Sequence, residues 1–173
     1  MVNYNSIGLT DFDGEVIESI RDEYTAYHKY MSLSLRLEKM GFGWKGFSDT
    51  LKGMARDEWG HATKLNKMLM HMASMRIPSP SSILFEKPIS STPLDELVID
   101  AMKDEGRDFK KYERMAFESR RIKNANTGFY STLRSISNDE SRHGGYLSEL
   151  LGKVRKEKKI AHYSGDEIFM MRG

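Results

Sequence analysis

The sequence predicts an all-α fold, a four-helix bundle of two helix hairpins joined by a long crossover. Three observations carry this. All four prolines, Pro78, Pro80, Pro88 and Pro93, fall in one window, so nothing outside it forces a helix to break. Four stretches outside the window each carry a single apolar stripe at helical spacing. The second half of the chain also repeats the first at a fixed offset of 82 residues.

The first helix is expected over about 11–40, with Val16, Ile20, Tyr27, Tyr30 and Leu37 on its stripe. Gly41-Phe42-Gly43 supplies its C-terminal cap and turn. The second helix is expected over about 44–75, with Phe47, Leu51, Met54, Leu65, Met68, Leu69 and Met72 inward. A serine- and proline-rich connection follows, Ile77 to Thr92. The third helix, about 93–122, opens on Thr92 as N-cap, Pro93 at the first helical position and the acids Asp95 and Glu96. Its stripe is Leu94, Val98, Ala101, Phe109 and Tyr112. The fourth, about 126–156, carries Phe129, Leu133, Ile136, Leu147, Leu150 and Val154. Residues 157–173 form a tail whose structure the pattern leaves open: a short packing helix or a partner-binding peptide. Such helices are about 45 Å long, and the connection can span roughly 50 Å. It is therefore long enough to run the whole bundle, which is the reason to expect a crossover. A single domain covers 1–173.

The repeat places Asp22, Glu23, Lys29 and Tyr30 on Asp104, Glu105, Lys111 and Tyr112. It places Asp57, Glu58 and His61 on Asp139, Glu140 and His143, with no gap. Two alike hairpins predict a pseudo-two-fold bundle.

Composition excludes several functions. There are no cysteines, hence no disulfides, thiolate metal sites or cysteine nucleophiles. The net charge of +2 gives no reason to expect nucleic-acid binding. The N-terminus lacks a basic and an apolar region, so no signal peptide is expected. No apolar run approaches the roughly 18 residues of a membrane span. The expectation is a cytoplasmic protein without membrane association.

The candidate site is a metal centre. Glu58 and His61, and again Glu140 and His143, form Glu-x-x-His pairs whose members share a helix face. Glu23 and Glu105 interrupt the apolar stripes of the first and third helices. An unpaired buried carboxylate costs several kcal/mol, and a metal supplies the compensation. Residue 42 lies midway between Glu23 and His61, and residue 124 midway between Glu105 and His143, so each hairpin sets its ligands level. Four carboxylates balance two divalent ions. Oxygen ligands with two imidazoles suit iron or manganese, with zinc a competitor. Two such ions can share redox work with O2 or peroxide. Tyr30 and Tyr112 lie two turns after Glu23 and Glu105 and read as ligand-bonding or electron-donating groups, or as core aromatics. Tyr30 joins the six ligands as a catalytic candidate. Asp57 and Asp139 read as solvated acids, or as supports or iron-access groups beside the ligands.

Glu23-Tyr24-Thr25-Ala26-Tyr27-His28-Lys29-Tyr30-Met31-Ser32 resembles the ferritin first-helix signature, and Asp57-Glu58-Trp59-Gly60-His61-Ala62-Thr63-Lys64-Leu65 resembles its second-helix metal motif. The resemblance runs over about 12–156, and its two Glu-x-x-His motifs are similar to those of bacterioferritin and rubrerythrin-like proteins. It implies a ferritin-like bundle with ferroxidase activity, in which two Fe(II) bind, O2 or H2O2 oxidises them, and Fe(III) moves to a mineral store. It also implies a homo-oligomer with a dimer as building block, up to a cage of twelve or twenty-four subunits. Trp59 stands where bacterioferritin has its haem methionine, so no haem is expected, and without cysteine there is no rubredoxin domain. The competing readings are a rubrerythrin-like peroxidase, another di-metal oxidoreductase such as a manganese catalase-like enzyme, and a Dps-like DNA-protecting protein.

Two further features are read as structural. The basic run Lys153 to Lys159 reads as a solvated helix end, with binding of DNA or another polyanion as the alternative. Met68, Met70, Met72 and Met75 read as packing residues rather than a soft-metal site. His28, His71 and His162 read as surface residues.

Overall fold

A computed structural model describes residues 11–73, 92–122 and 127–170; in the last segment side chains are described for 128–159. The described residues form a bundle of four α-helices: α1 (Asp11–Lys39), α2 (Lys45–Ala73), α3 (Leu94–Ser119) and α4 (Thr127–Met170). No strand occurs among the described residues. A 3₁₀ turn, Phe42–Trp44, joins α1 to α2. Gly41 enters this turn at φ 105°, a left-handed conformation that L side chains rarely adopt, and its carbonyl accepts the Trp44 N–H at 3.0 Å.

The helices pair as hairpins, α1 with α2 and α3 with α4. The hairpins meet in an antiparallel sense. Glu15 pairs with Arg114 and Tyr30 with Glu105 across α1 and α3, while Asp57 pairs with His143 and His61 with Asp139 across α2 and α4. It follows that α2 and α3 run parallel, so Ala73 and Leu94 stand at opposite ends of the bundle. The expected connection between them lies, apart from Thr92, outside the described residues.

Two helix boundaries differ from expectation. Pro93, not Thr92, is the N-cap of α3. Its ψ of 139° is extended and no side chain caps the helix. The Pro93 carbonyl receives the Leu97 N–H at 3.2 Å. Thr92 offers its carbonyl to Arg36 instead, at 2.5 Å. Helix α4 does not stop near residue 156 but continues to Met170. No proline interrupts residues 157–170, and Gly165 alone does not break the helix.

The core has two apolar compartments. One holds Ile20, Leu65, Leu69, Met115, Leu133 and Ile136. The other holds Leu33, Leu37, Leu51, Val98, Leu147 and Leu150. Burying each such side chain contributes roughly 1.5–3 kcal/mol. Tyr27 and Phe109, expected on the inward stripes, are only half-buried, whereas Leu33 and Tyr24 are buried. Between the compartments lies a level of buried glutamates and histidines. No described helix is long and apolar enough to cross a membrane.

Candidate metal centre

Each helix brings its share of this polar level from within its own apolar stripe. Glu23 follows Ile20 by one turn on α1, and Glu105 follows Ala101 on α3. Glu58 and His61 project from one face of α2, Glu140 and His143 from one face of α4, each pair three residues apart. All six side chains are buried, none more than 4% exposed.

Their ligand atoms form two groups, Glu23, Glu58, His61 and Glu140, and Glu58, Glu105, Glu140 and His143, each with its atoms within 4.8 Å of one another. Glu58 and Glu140 belong to both. The sequence suggests one triad per hairpin, but each group borrows a glutamate from the opposite hairpin.

The imidazoles are oriented alike. His61 Nδ1 lies 3.1 Å from Glu140, 3.3 Å from Glu23 and 3.5 Å from Glu58. His143 Nδ1 lies 2.9 Å from Glu58, 3.6 Å from Glu105 and 3.8 Å from Glu140. These approaches lack hydrogen-bond geometry. Both Nδ1 atoms and one oxygen of each glutamate are buried without a hydrogen-bond partner. Unpartnered buried polar atoms are rare. Six of them converging on one space are what a pair of metal ions would satisfy, so the residues present fit such ions. The donor set, carboxylate oxygens with two imidazoles, suits hard or borderline divalent cations.

Each Nε2 faces outward onto an aspartate of the other hairpin. His61 Nε2 is 3.2 Å from Asp139, and His143 Nε2 is 3.3 Å from Asp57. Such a carboxylate fixes the ring orientation and leaves Nδ1 free to ligate. Asp57 and Asp139 are thus partners of the histidines rather than merely solvated acids. The remaining oxygens of Glu23 and Glu105 accept hydrogen bonds from tyrosines, again across hairpins: Tyr112 donates to Glu23, and Tyr30 to Glu105.

Protons take the place of cations when no metal is bound. Burial and the Glu58 charge push Glu23 up to about 8. Burial, opposed by the adjacent His61 imidazole and reinforced by Glu23 and Glu58, pushes Glu140 up to about 10. Burial would lower His143, but Glu105 and Glu58 raise it to about 10. His61 is likewise raised against burial, by Glu140, Glu23 and Glu58. Burial opposes ionisation of Glu58, yet the adjacent His143 and His61 imidazoles hold it well below the ordinary carboxylate range.

An opening between α1 and α3 reaches Glu23, Glu58, Glu105 and Glu140. Asp22, Asp104 and Asp108 line it. Two ion pairs cross this seam, Lys29 with Asp104, and Lys111 with Asp22 at 3.0 Å. The repeat shows these four residues in register without showing that they exchange partners between hairpins.

The other singled-out residues lie away from the centre. Lys153 donates to the Gly43 carbonyl at 2.6 Å and lies over the Trp44 ring, and Lys158 pairs with Asp95. Met68 is buried, Met72 packs against the core and Met70 is half exposed. Met75 and the His162 side chain lie outside the described residues. His28 is half-buried against Tyr27, and His71 is exposed with its ring against Phe129.

A scan of the chain against protein-family models finds no match, and a search of curated proteins finds none.

Proposed function

We propose that the chain is a ferritin-like di-iron ferroxidase, which binds two Fe(II) ions as substrate and passes their electrons to O2 or H2O2. One observation carries the reading: six buried, unpartnered ligand atoms of Glu23, Glu58, His61, Glu105, Glu140 and His143 converge in two overlapping groups. Glu58 and Glu140, common to both groups, would bridge the ions. Glu23 with His61 would complete one coordination sphere, Glu105 with His143 the other. Each Fe(II) gives one electron and becomes Fe(III), so the pair supplies the two electrons that, with two protons from water, take O2 to H2O2, or H2O2 to two waters. Tyr30 and Tyr112 hold the terminal glutamates by hydrogen bonds, and Asp139 and Asp57 hold the histidines with Nδ1 inward. The flanking apolar compartments keep bulk water from the ends of the centre.

The test is oxidation of Fe(II) added anaerobically at two equivalents per chain and then exposed to air. The wild-type protein is expected to produce Fe(III) far faster than buffer, and Glu58→Ala and Glu140→Ala to fall to the buffer rate. Equal rates in all of them would refute the reading.

A further inference from the structure

One residue breaks the two-fold pattern of the centre's supports. Under the 82-residue offset every ligand, tyrosine and aspartate of the centre has a counterpart, but Arg142 falls on Gly60. Arg142 is also where the two halves join on the α2–α4 side. Its Nη2 lies 3.0 Å from Asp139 Oδ1 and 3.2 Å from Asp57 Oδ2. Asp139 holds His61 through its other oxygen, and Asp57 holds His143 through the same Oδ2 that meets the guanidinium. The result is one chain of contacts, His61, Asp139, Arg142, Asp57, His143, closing across the seam opposite the α1–α3 opening.

Both aspartates are within reach of one guanidinium, and a second arginine at position 60 would place a like charge against it. A Cβ at Gly60 would meet nothing within 4 Å, so position 60 has room for a side chain to begin. The Arg142 side chain is 65% exposed, Asp57 44% and Asp139 22%, and pairs with so exposed a partner add little to fold stability. Their effect falls on position. Asp57, half in water, has no other described partner than Arg142 and His143 to keep it turned toward the imidazole.

We propose that Arg142 is a positioning residue shared by both metal ions: one guanidinium holds the two aspartates that aim both histidines. This rests on reading the six-residue centre as a di-metal site. Outer partners of metal-ligating histidines typically govern ten- to a hundredfold in affinity, and Arg142 acts through two of them at once.

The test is an anaerobic Co(II) titration followed by the visible d–d bands of the bound ion. Arg142→Ala is expected to weaken both equivalents about tenfold, the ion on the His143 side more, with altered bands and an unchanged melting temperature of the metal-free protein. Moving the guanidinium to the symmetric position, Gly60→Arg with Arg142→Ala, is expected to restore affinity and bands, because Arg at 60 stands to Asp57 as Arg142 stands to Asp139. Wild-type affinity and spectrum in Arg142→Ala, or a loss that the transplanted arginine leaves unrepaired, overturns the proposal. A wild-type protein that takes up no pair of Co(II) ions overturns the di-metal reading beneath it instead.

Discussion

Tyr30 donates its phenolic hydrogen bond to Glu105, a glutamate of the other hairpin, while its repeat counterpart Tyr112 donates to Glu23. Both tyrosines are buried, so each holds its hydrogen bond within the bundle. Tyr112→Phe is expected to destabilise the metal-free fold by about 1–3 kcal/mol, the cost of leaving a buried acceptor unpaired. Denaturant unfolding of the wild type and the variant, with and without metal, measures this.

Glu58 and Glu140 stand in both ligand groups, whereas Glu23 and Glu105 each stand in one. Stoichiometry should follow. Glu58→Ala and Glu140→Ala are expected to abolish tight binding of both ions, and Glu23→Ala and Glu105→Ala to spare one. Elemental analysis after dialysis distinguishes the two patterns. Uniform loss across all four variants would contradict the shared role.

Stability of the metal-free protein is expected to fall as pH rises between about 7 and 10. In the folded state Glu23 keeps its proton to about 8, and Glu140 and His143 to about 10, against ordinary values of 4.5, 4.5 and 6.5. Over that range the folded chain binds more protons than the unfolded one. Each excess proton lowers stability by about 1.4 kcal/mol per pH unit. Glu58 is shifted the other way, so its contribution is lost only as pH falls below the ordinary carboxylate range and leaves this window untouched. Bound metal displaces these protons, so the metal-loaded protein should show a flatter profile. Unfolding midpoints across the range, with and without metal, provide the comparison.

Metal that binds the folded chain alone should raise its stability by about 2.7 kcal/mol at a hundredfold excess over Kd. The melting temperature should therefore climb with divalent-ion concentration in the wild type. It should climb far less in Glu58→Ala, which lacks a bridge common to both groups. Equal shifts in the two proteins would point to binding elsewhere.

Much of this architecture is legible in the order of residues alone. Helical periodicity exposes the stripes, and Glu23 and Glu105 declare themselves by interrupting them. The repeat puts both Glu-x-x-His motifs at one level. What stays hidden depends on how the hairpins interlock. Position along a chain shows that Glu58 points inward, but not that it serves both ligand groups. Tyr30 is close to Glu23 in sequence, yet its hydroxyl reaches Glu105 because α1 packs antiparallel to α3. Asp57 and Asp139 repeat faithfully, but their partners lie 86 and 78 residues away. Arg142 carries no signal, since its meaning lies in the glycine opposite. At the boundaries, Pro93 stands as the cap of α3 while the Thr92 carbonyl meets Arg36, 56 residues away, a contact no local pattern encodes.

The crossing of supports between hairpins also bears on how such a molecule is inherited and taken apart. Neither hairpin owns a working half of the centre: each lends its tyrosine, its aspartate and one shared glutamate to the other. The ions would act as mortar between two similar bricks. A chain built from the α1–α2 brick twice over would hold every support in its copy except the arginine, and one built from the α3–α4 brick would hold the arginine twice, whereas one brick alone would have to recruit a second to complete the six-residue set. A doubled α1–α2 chain carrying Gly60→Arg in one copy would carry every one of these residues again, in two identical halves but for that arginine.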